Sequence, residues 1–354
     1  MSSSTTDYVA MTSNYTDLTR GAQNVIEASL PLAQSHLQAS EFFERNDPAV
    51  FLDLGAADGG TAVPLWTSLI RDLREQSKAR PATLISNDLP GADYNTLFKI
   101  YERGESDSLR NQFAPFYVMG NGTPFFDQAA PSSSVDFSYS ATAMHWLSTA
   151  PGQIPGQVHH VECSDQDAVA PFQKLARENW SQILKSRWQE LKPGGLFFGV
   201  NFCVSPDQTY LGKTTGESMF ATFSRLWSQI VTEEEFLNTN FPQFYRSKED
   251  LEKGAIESGF EVLEHRIQQT DCPYKARYLS GEWDAHAYAE NFLPTMTTWS
   301  TAVFRNGLSD QRSETEKNQL IDQLWLQYKM LIENDPESYQ MDYVHSFLML
   351  RKPS

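Results

Sequence analysis

An α/β fold is what the residue order predicts: a mostly parallel, doubly wound sheet under a helical cap. Three observations carry that expectation. Apolar, strand-like runs alternate with amphipathic stretches through most of the chain. The first run ends on an acid and a glycine turn, "DLGAADGG" (Asp53 to Gly60), that opens a helix. The alternation breaks twice, at residues 204–241 and at about 274–336, where helix formers and aromatics dominate.

The elements follow in order. A Ser/Thr-rich lead gives way near Tyr15 to helical periodicity in "GAQNVIEASLPLAQSHLQASEFF", with an interruption expected at Pro31. "AVFLDLG" reads as a buried strand and "TAVPLWTSLIRDLREQ" as the helix after it. "ATLISNDL", "FAPFYVMGNG" and "SVDFSYS" are further strands. "APFQKLARENWSQILKSRWQELK" is a long helix stopped by Pro193-Gly194-Gly195, before the strand "LFFGVNF". "KEDLEKGAIESG" is a helix, and "FEVLEHRIQQ" and "DYVHSFLMLRK" are the last strands. The expected division is an N-terminal segment, 1–34, covering the site; a sheet domain from 35–203, 242–273 and 337–354; and a cap from 204–241 and 274–336. Charged runs such as "RDLREQSKAR" and "SDQRSETEKNQ" read as solvated faces.

Composition narrows the function. A chain of 354 residues suits one principal domain with a sizeable cap. Its 40% hydrophobic and 12% aromatic content excludes disorder. A net charge of −17 argues against nucleic acid and favours a cationic ligand. Cys163, Cys203 and Cys272 form no CxxC pair, which suits a reducing compartment, the cytoplasm. The polar N-terminus does not read as a signal peptide, and no apolar run approaches membrane-spanning length.

The glycine turn is not the dinucleotide fingerprint, because its glycines are Gly55, Gly59 and Gly60. With Asp53 before it, it suits a nucleoside bearing an amino acid tail. The next strand ends in Asn87-Asp88, a carboxylate placed to accept two ribose hydroxyls. "SYSATAMHWLSTAP" sets His145 and Trp146 where the fourth strand gives out. "HHVEC" (His159 to Cys163) invites a metal reading, but no second cluster completes a site, and it is expected to be an exposed loop.

"NDLPGADYNTLFKI", Asn87 to Ile100, resembles the signature of the SABATH carboxyl methyltransferases, the salicylate, benzoate and theobromine methyltransferases. "SATAMHWLSTAP", "FPQF" (Phe241 to Phe244), "MTTW" and "ELKPGG" are similar to further family segments, so the resemblance runs from about Tyr15 to the C-terminus. It implies a class I methyltransferase (Rossmann-like) sheet, S-adenosyl-L-methionine as methyl donor, a small carboxylic acid as acceptor and a tendency to homodimerise. Around the cofactor it implies Tyr15, Gln23, Asp53, Gly55, Gly59, Asp88, Leu89, Thr123, Phe125 and Ser140. Around the acid it implies Tyr15, Gln23, His145, Trp146, Phe220, Phe244, Met296 and Trp299. Gln23 and Trp146 would clamp the carboxylate with neutral donors; His145 would donate beside them or form the wall.

This sequence departs from the family in four places. It has Gly-Ala-Ala-Asp-Gly for Gly-Cys-Ser-Ser-Gly, and Gly122-Thr123-Pro124-Phe125-Phe126 for Gly-Ser-Phe-Tyr. The Tyr15 to Gln23 spacing is one residue longer than usual, and Phe220 stands where Trp is common. These mark a divergent or non-plant member. Other readings are N-methylation of a xanthine-like heterocycle, a nicotinamide-dependent oxidoreductase, and a non-catalytic binding protein.

Overall fold

The computed structural model describes residues 15–77, 79–102, 108–214 and 216–354. Seven strands form one sheet in the order β3-β2-β1-β4-β5-β7-β6. They are β1 (Ala49–Leu54), β2 (Ala82–Asp88), β3 (Phe116–Gly122), β4 (Val135–Ala141), β5 (Leu191–Phe202), β6 (Glu261–Thr270) and β7 (Tyr343–Arg351). The first five run parallel, while β7 is antiparallel to both β5 and β6. All seven expected strands are present.

Both faces of the central strands are buried, which is why they read as continuous apolar runs rather than alternating ones. On β1, Phe51 faces one cluster with Trp66 and Phe137, while Leu52 faces the other with Trp180 and Ile183. Helices α1 (Tyr15–Leu18), α2 (Arg20–Gln38), α3 (Val63–Gln76), α4 (Tyr94–Glu102), α5 (Leu109–Gln112), α6 (Gln166–Glu190) and α9 (Lys248–Glu257) lie in the N-terminal and sheet segments of the chain. Pro31 does not interrupt α2. It sits on the exposed side, where losing one N–H is tolerated, while Leu32, Ala33 and Leu37 hold the helix to the core. The boundary expected at residue 34 therefore falls inside a continuous helix.

The two cap stretches contain α7 (Met219–Trp227), α8 (Glu233–Asn238), α10 (Pro273–Leu279), α11 (Ala285–Asn306) and α12 (Glu314–Asn334). Their aromatics close on one another: the rings of Phe223 and Phe304 are 5.3 Å apart, and those of Phe304 and Trp325 5.7 Å. The solvated reading of "RDLREQSKAR" fails at two arginines. Arg74 donates to the carbonyls of Arg80, Phe113 and Pro115, and buried Arg80 donates to those of Phe42 and Asp47. These side chains tie together loop carbonyls at the start of the strands; that of Pro115 also accepts the N–H of Ala82.

Candidate active site

The strand order reverses between β1 and β4, and in open α/β sheets ligands bind beyond the carboxyl ends at that point. A cavity of about 600 Å³ lies there. Its wall includes Asp53 near the end of β1 with Gly55, Ala56 and Ala57 after it, and residues 141–143 and 145–150 at and beyond the end of β4. Gly55 has φ +77°, and a Cβ on it would stand 2.4 Å from the Cβ of Ala143, so the two loops meet only because this residue is glycine. Two non-glycine residues of the wall also have positive φ: Ala57 at 50° and Thr142 at 56°. One follows β1 and the other β4, so backbone strain flanks the switch point on both sides.

Of the acids at this end Asp53 is buried and Asp88 half-buried. Asp53 accepts from the indole of Trp66 at 2.9 Å, yet burial, with Asp88 nearby, pushes its carboxyl up to about 7. Asp88 accepts from the backbone N–H of Ala57 at one oxygen and of Leu89 at the other, each at 2.7 Å. Burial raises its carboxyl against those two donors. Two desolvated carboxyls close together are a site for a cation and for hydroxyl donors.

Leu89 of the Asn87-Ile100 signature also lines the cavity, and the rest of that signature is scaffold. Asn87 donates to the carbonyls of Asn121 and Thr123, tying the end of β2 to that of β3. Tyr94 donates to the Asn121 carbonyl and receives the N–H of Asp88. The Asp93 carboxylate caps the start of α4 through Thr96. Together they hold Asp88 at the rim. Helix α1 closes over the glycine turn, with Thr16 giving its backbone N–H and its hydroxyl to Asp58 at 3.0 and 2.5 Å.

At the other end the wall is made of side chains. His145 is buried against Phe202 and Tyr245. Burial drives its imidazole well below the usual histidine range, so the ring is neutral, and its Nδ1 has no partner. Trp146 is half-buried at the wall and forms an isolated antiparallel bridge with Gln243. Trp299 of α11 also lines the cavity.

Several expected residues lie elsewhere. Gln23 does not reach the cavity. Thr19, Ala22 and Ile26 occupy the facing stripe of α2, and Gln23, about 100° further round, accepts from Arg20 and donates to Glu27 at the surface. Gly59 packs under Tyr101 and Leu97 of α4, where a Cβ would clash, rather than facing a ligand. Ser140 turns from the cavity and donates to the Leu54 carbonyl, because alternation along β4 presents Tyr139 and Ala141 instead. Thr123 spends its carbonyl on Asn87, and Pro124, Phe125 and Phe126 line the wall after it. Phe220, Phe244 and Met296 are core. Phe220 stacks on His159, and Phe244 faces away from its neighbours Gln243 and Tyr245, stacking on His160. The side chain of Tyr15 lies outside the described residues.

"HHVEC" is not an exposed loop. His159 and His160 are buried, and His160 accepts the backbone N–H of Tyr245 at 2.9 Å. Among the described residues no group of three His, Cys, Asp or Glu could hold a metal. Gln243 and Tyr245 were missed; the two-residue spacing in "FPQFY" is the signal that would have found them.

Comparison with known proteins agrees with this geometry. A family model described as SAM-dependent carboxyl methyltransferase matches residues 10–353. Salicylate carboxymethyltransferase of Clarkia breweri is 22% identical over 85% of this chain and 84% of its own. A 3,7-dimethylxanthine N-methyltransferase of Camellia sinensis var. assamica is also 22% identical, over 85% of this chain and 82% of its own. Among solved structures, a loganic acid methyltransferase with S-adenosylhomocysteine superposes with a TM-score of 0.78 at 17% identity, covering 96% of each chain.

Proposed function

The chain belongs to the family of S-adenosylmethionine-dependent carboxyl methyltransferases, and from that premise we propose that it esterifies a small, mostly apolar carboxylic acid, giving the methyl ester and S-adenosylhomocysteine. The observation that carries this reading is the single cavity that joins buried Asp53 and half-buried Asp88 to Trp146 and His145. Gly55 to Ala57 and Asp88 would hold the nucleoside, and Asp53 the cationic tail. The tight turn at Gly55 and the oxygens of Asp88 that face the cavity suit such a group. When bound, the cofactor supplies a methyl on sulfonium; the O–CH₃ bond forms as S–CH₃ breaks, and the electron pair stays on sulfur.

The residues around the acceptor suit a nucleophile that needs no base. A carboxyl group of pKa about 4.3 is already ionised at neutral pH. Neutral His145 cannot reprotonate it. A guanidinium beside the acid would stabilise the ground state, whose charge vanishes in the transition state. Arg305 is the one cation among the described wall residues, and it is paired with Glu314 and Asn318. A donor such as the indole N–H of Trp146 orients the oxygen at less cost in reactivity. The acid's body would rest on Trp299 and Phe202.

N-methylation of a heterocycle is the second reading, favoured by the absence of Gln23 from the cavity and by the xanthine-methylating relative. Methyl-labelled S-adenosylmethionine with panels of free acids and xanthines decides between them. Base-labile methyl esters are expected. Tight cofactor binding with no transfer to any acid would sink the esterification reading. Among the described residues no helix is long and apolar enough to cross a membrane. The three cysteines are free, in keeping with the cytoplasm.

A further inference from the structure

A carboxylate offers about four lone-pair sites, and one indole N–H fills one of them. Helix α2 does not bring the Gln23 amide to the cavity. We propose that Gln243 supplies the missing neutral donor, standing beside Trp146 on the substrate carboxylate; the assignment rests on the esterification reading above.

Backbone geometry sets the two side chains together. The N–H of Leu147 donates to the Pro242 carbonyl at 2.7 Å, and that of Phe244 to the His145 carbonyl at 2.9 Å. These bonds bracket Trp146 and Gln243, making them a non-hydrogen-bonded antiparallel pair. Such pairs hold their Cα atoms about 4.5 Å apart and project their side chains to one face. Both residues border the cavity.

The amide also has a free end. Its Oε1 accepts the Tyr245 hydroxyl at 3.2 Å, which fixes the carboxamide plane. Its Nε2 is buried and has no hydrogen-bond partner. A buried amide donor left unpaired costs stability, and an acceptor entering from the cavity relieves that cost. The groups around it do not compete for the carboxylate as cations. His145, His159 and His160 are all held neutral by burial, and Tyr245 keeps its hydroxyl proton for the same reason. Arg246 is spent on the carbonyls of Met144 and Ala176. His159 Nε2, close enough to Gln243 to interact, is itself unpartnered and stacked on Phe220.

The test uses the full chain, methyl-labelled S-adenosylmethionine, and benzoic, indole-3-acetic and jasmonic acids. Gln243→Leu is expected to raise KM for the methylated acid about 10- to 100-fold, the loss of one hydrogen bond to a charged group. Affinity for S-adenosylhomocysteine should stay within roughly twofold, because no cofactor contact is removed. Gln243→Glu adds a readout that a packing role would not move. Its activity should be lowest at pH 8 and rise roughly fivefold towards pH 5.5, as the buried carboxyl takes a proton and becomes a donor; the parent should show no such rise. If Gln243→Leu fails to bind S-adenosylhomocysteine, the pH profile of Gln243→Glu decides alone. Unchanged KM in Gln243→Leu, or a flat profile in Gln243→Glu, overturns the role of Gln243 and leaves esterification standing. Failure of the parent to methylate any of the acids, with S-adenosylhomocysteine still bound, overturns both.

Discussion

The two ends of the cavity are built of different material. At the cofactor end the groups that matter are backbone: a glycine turn at φ +77°, a strained Ala57, and N–H groups spent on Asp88. At the acceptor end they are side chains from separate parts of the chain: Trp146 after β4, Gln243 before α9, Trp299 on α11. A backbone cradle tolerates little change, because its shape depends on where glycine can sit and where a carboxylate can cap. A wall of side chains can change its lining without disturbing the sheet.

The experiments that strain this contrast most are at the cofactor end. Asp88→Ala removes the carboxylate and frees the Ala57 and Leu89 N–H groups, so affinity for S-adenosylhomocysteine should fall 100-fold or more by isothermal titration. A loss under threefold would show that the cradle does not depend on it. Next comes Trp146→Phe, which keeps the ring and removes the N–H. It should cut kcat/KM about 10- to 100-fold with cofactor affinity unchanged; normal turnover would remove the indole from the clamp.

A pH series sharpens the electrostatics. Asp53 ionises near 7 in the folded protein and near 3.9 unfolded, so between those values the folded state holds the extra proton. Its contribution to stability therefore falls as pH rises from about 4 to about 7, then levels off. Affinity for S-adenosylmethionine and for S-adenosylhomocysteine alike should rise up to about tenfold from pH 6 to 8, because both carry the tail's ammonium. Asp53→Asn should flatten the rise for both ligands, and an unchanged slope in that variant would sink the assignment. The smallest effect is expected at Gln23: Gln23→Ala should leave KM within roughly twofold, since its amide is engaged by Arg20 and Glu27. A tenfold rise would mean that α2 turns when substrate binds.

The same division governs what the residue order revealed. Strands buried on both faces announce themselves as apolar runs, and all seven were legible. So was the glycine turn at the cavity wall, because glycines and acids at a strand end have few other uses. The acceptor wall was less legible. Gln23 lies one position out of the facing stripe of α2, a difference of about 100° that an added residue before it conceals. Phe220 and Phe244 match the residue type of a pocket wall but face the core; for Phe244, alternation within "FPQFY" shows this only once the bridge to Trp146 is known. "HHVEC" misleads in the opposite sense: two polar rings are buried because stacking on Phe220 and Phe244 offsets their desolvation.

The bridge between Trp146 and Gln243 has a consequence for how such an enzyme diversifies. The opening between those two side chains is a jaw whose width is set by two main-chain bonds, one on each side of the pair. Substitutions further along the wall, at Thr297, Thr298 or Trp299, change the length and bulk of molecule that fits without moving the jaw. A lineage built this way can exchange one acid for another by altering what it holds of the tail, while its grip on the head stays as it was.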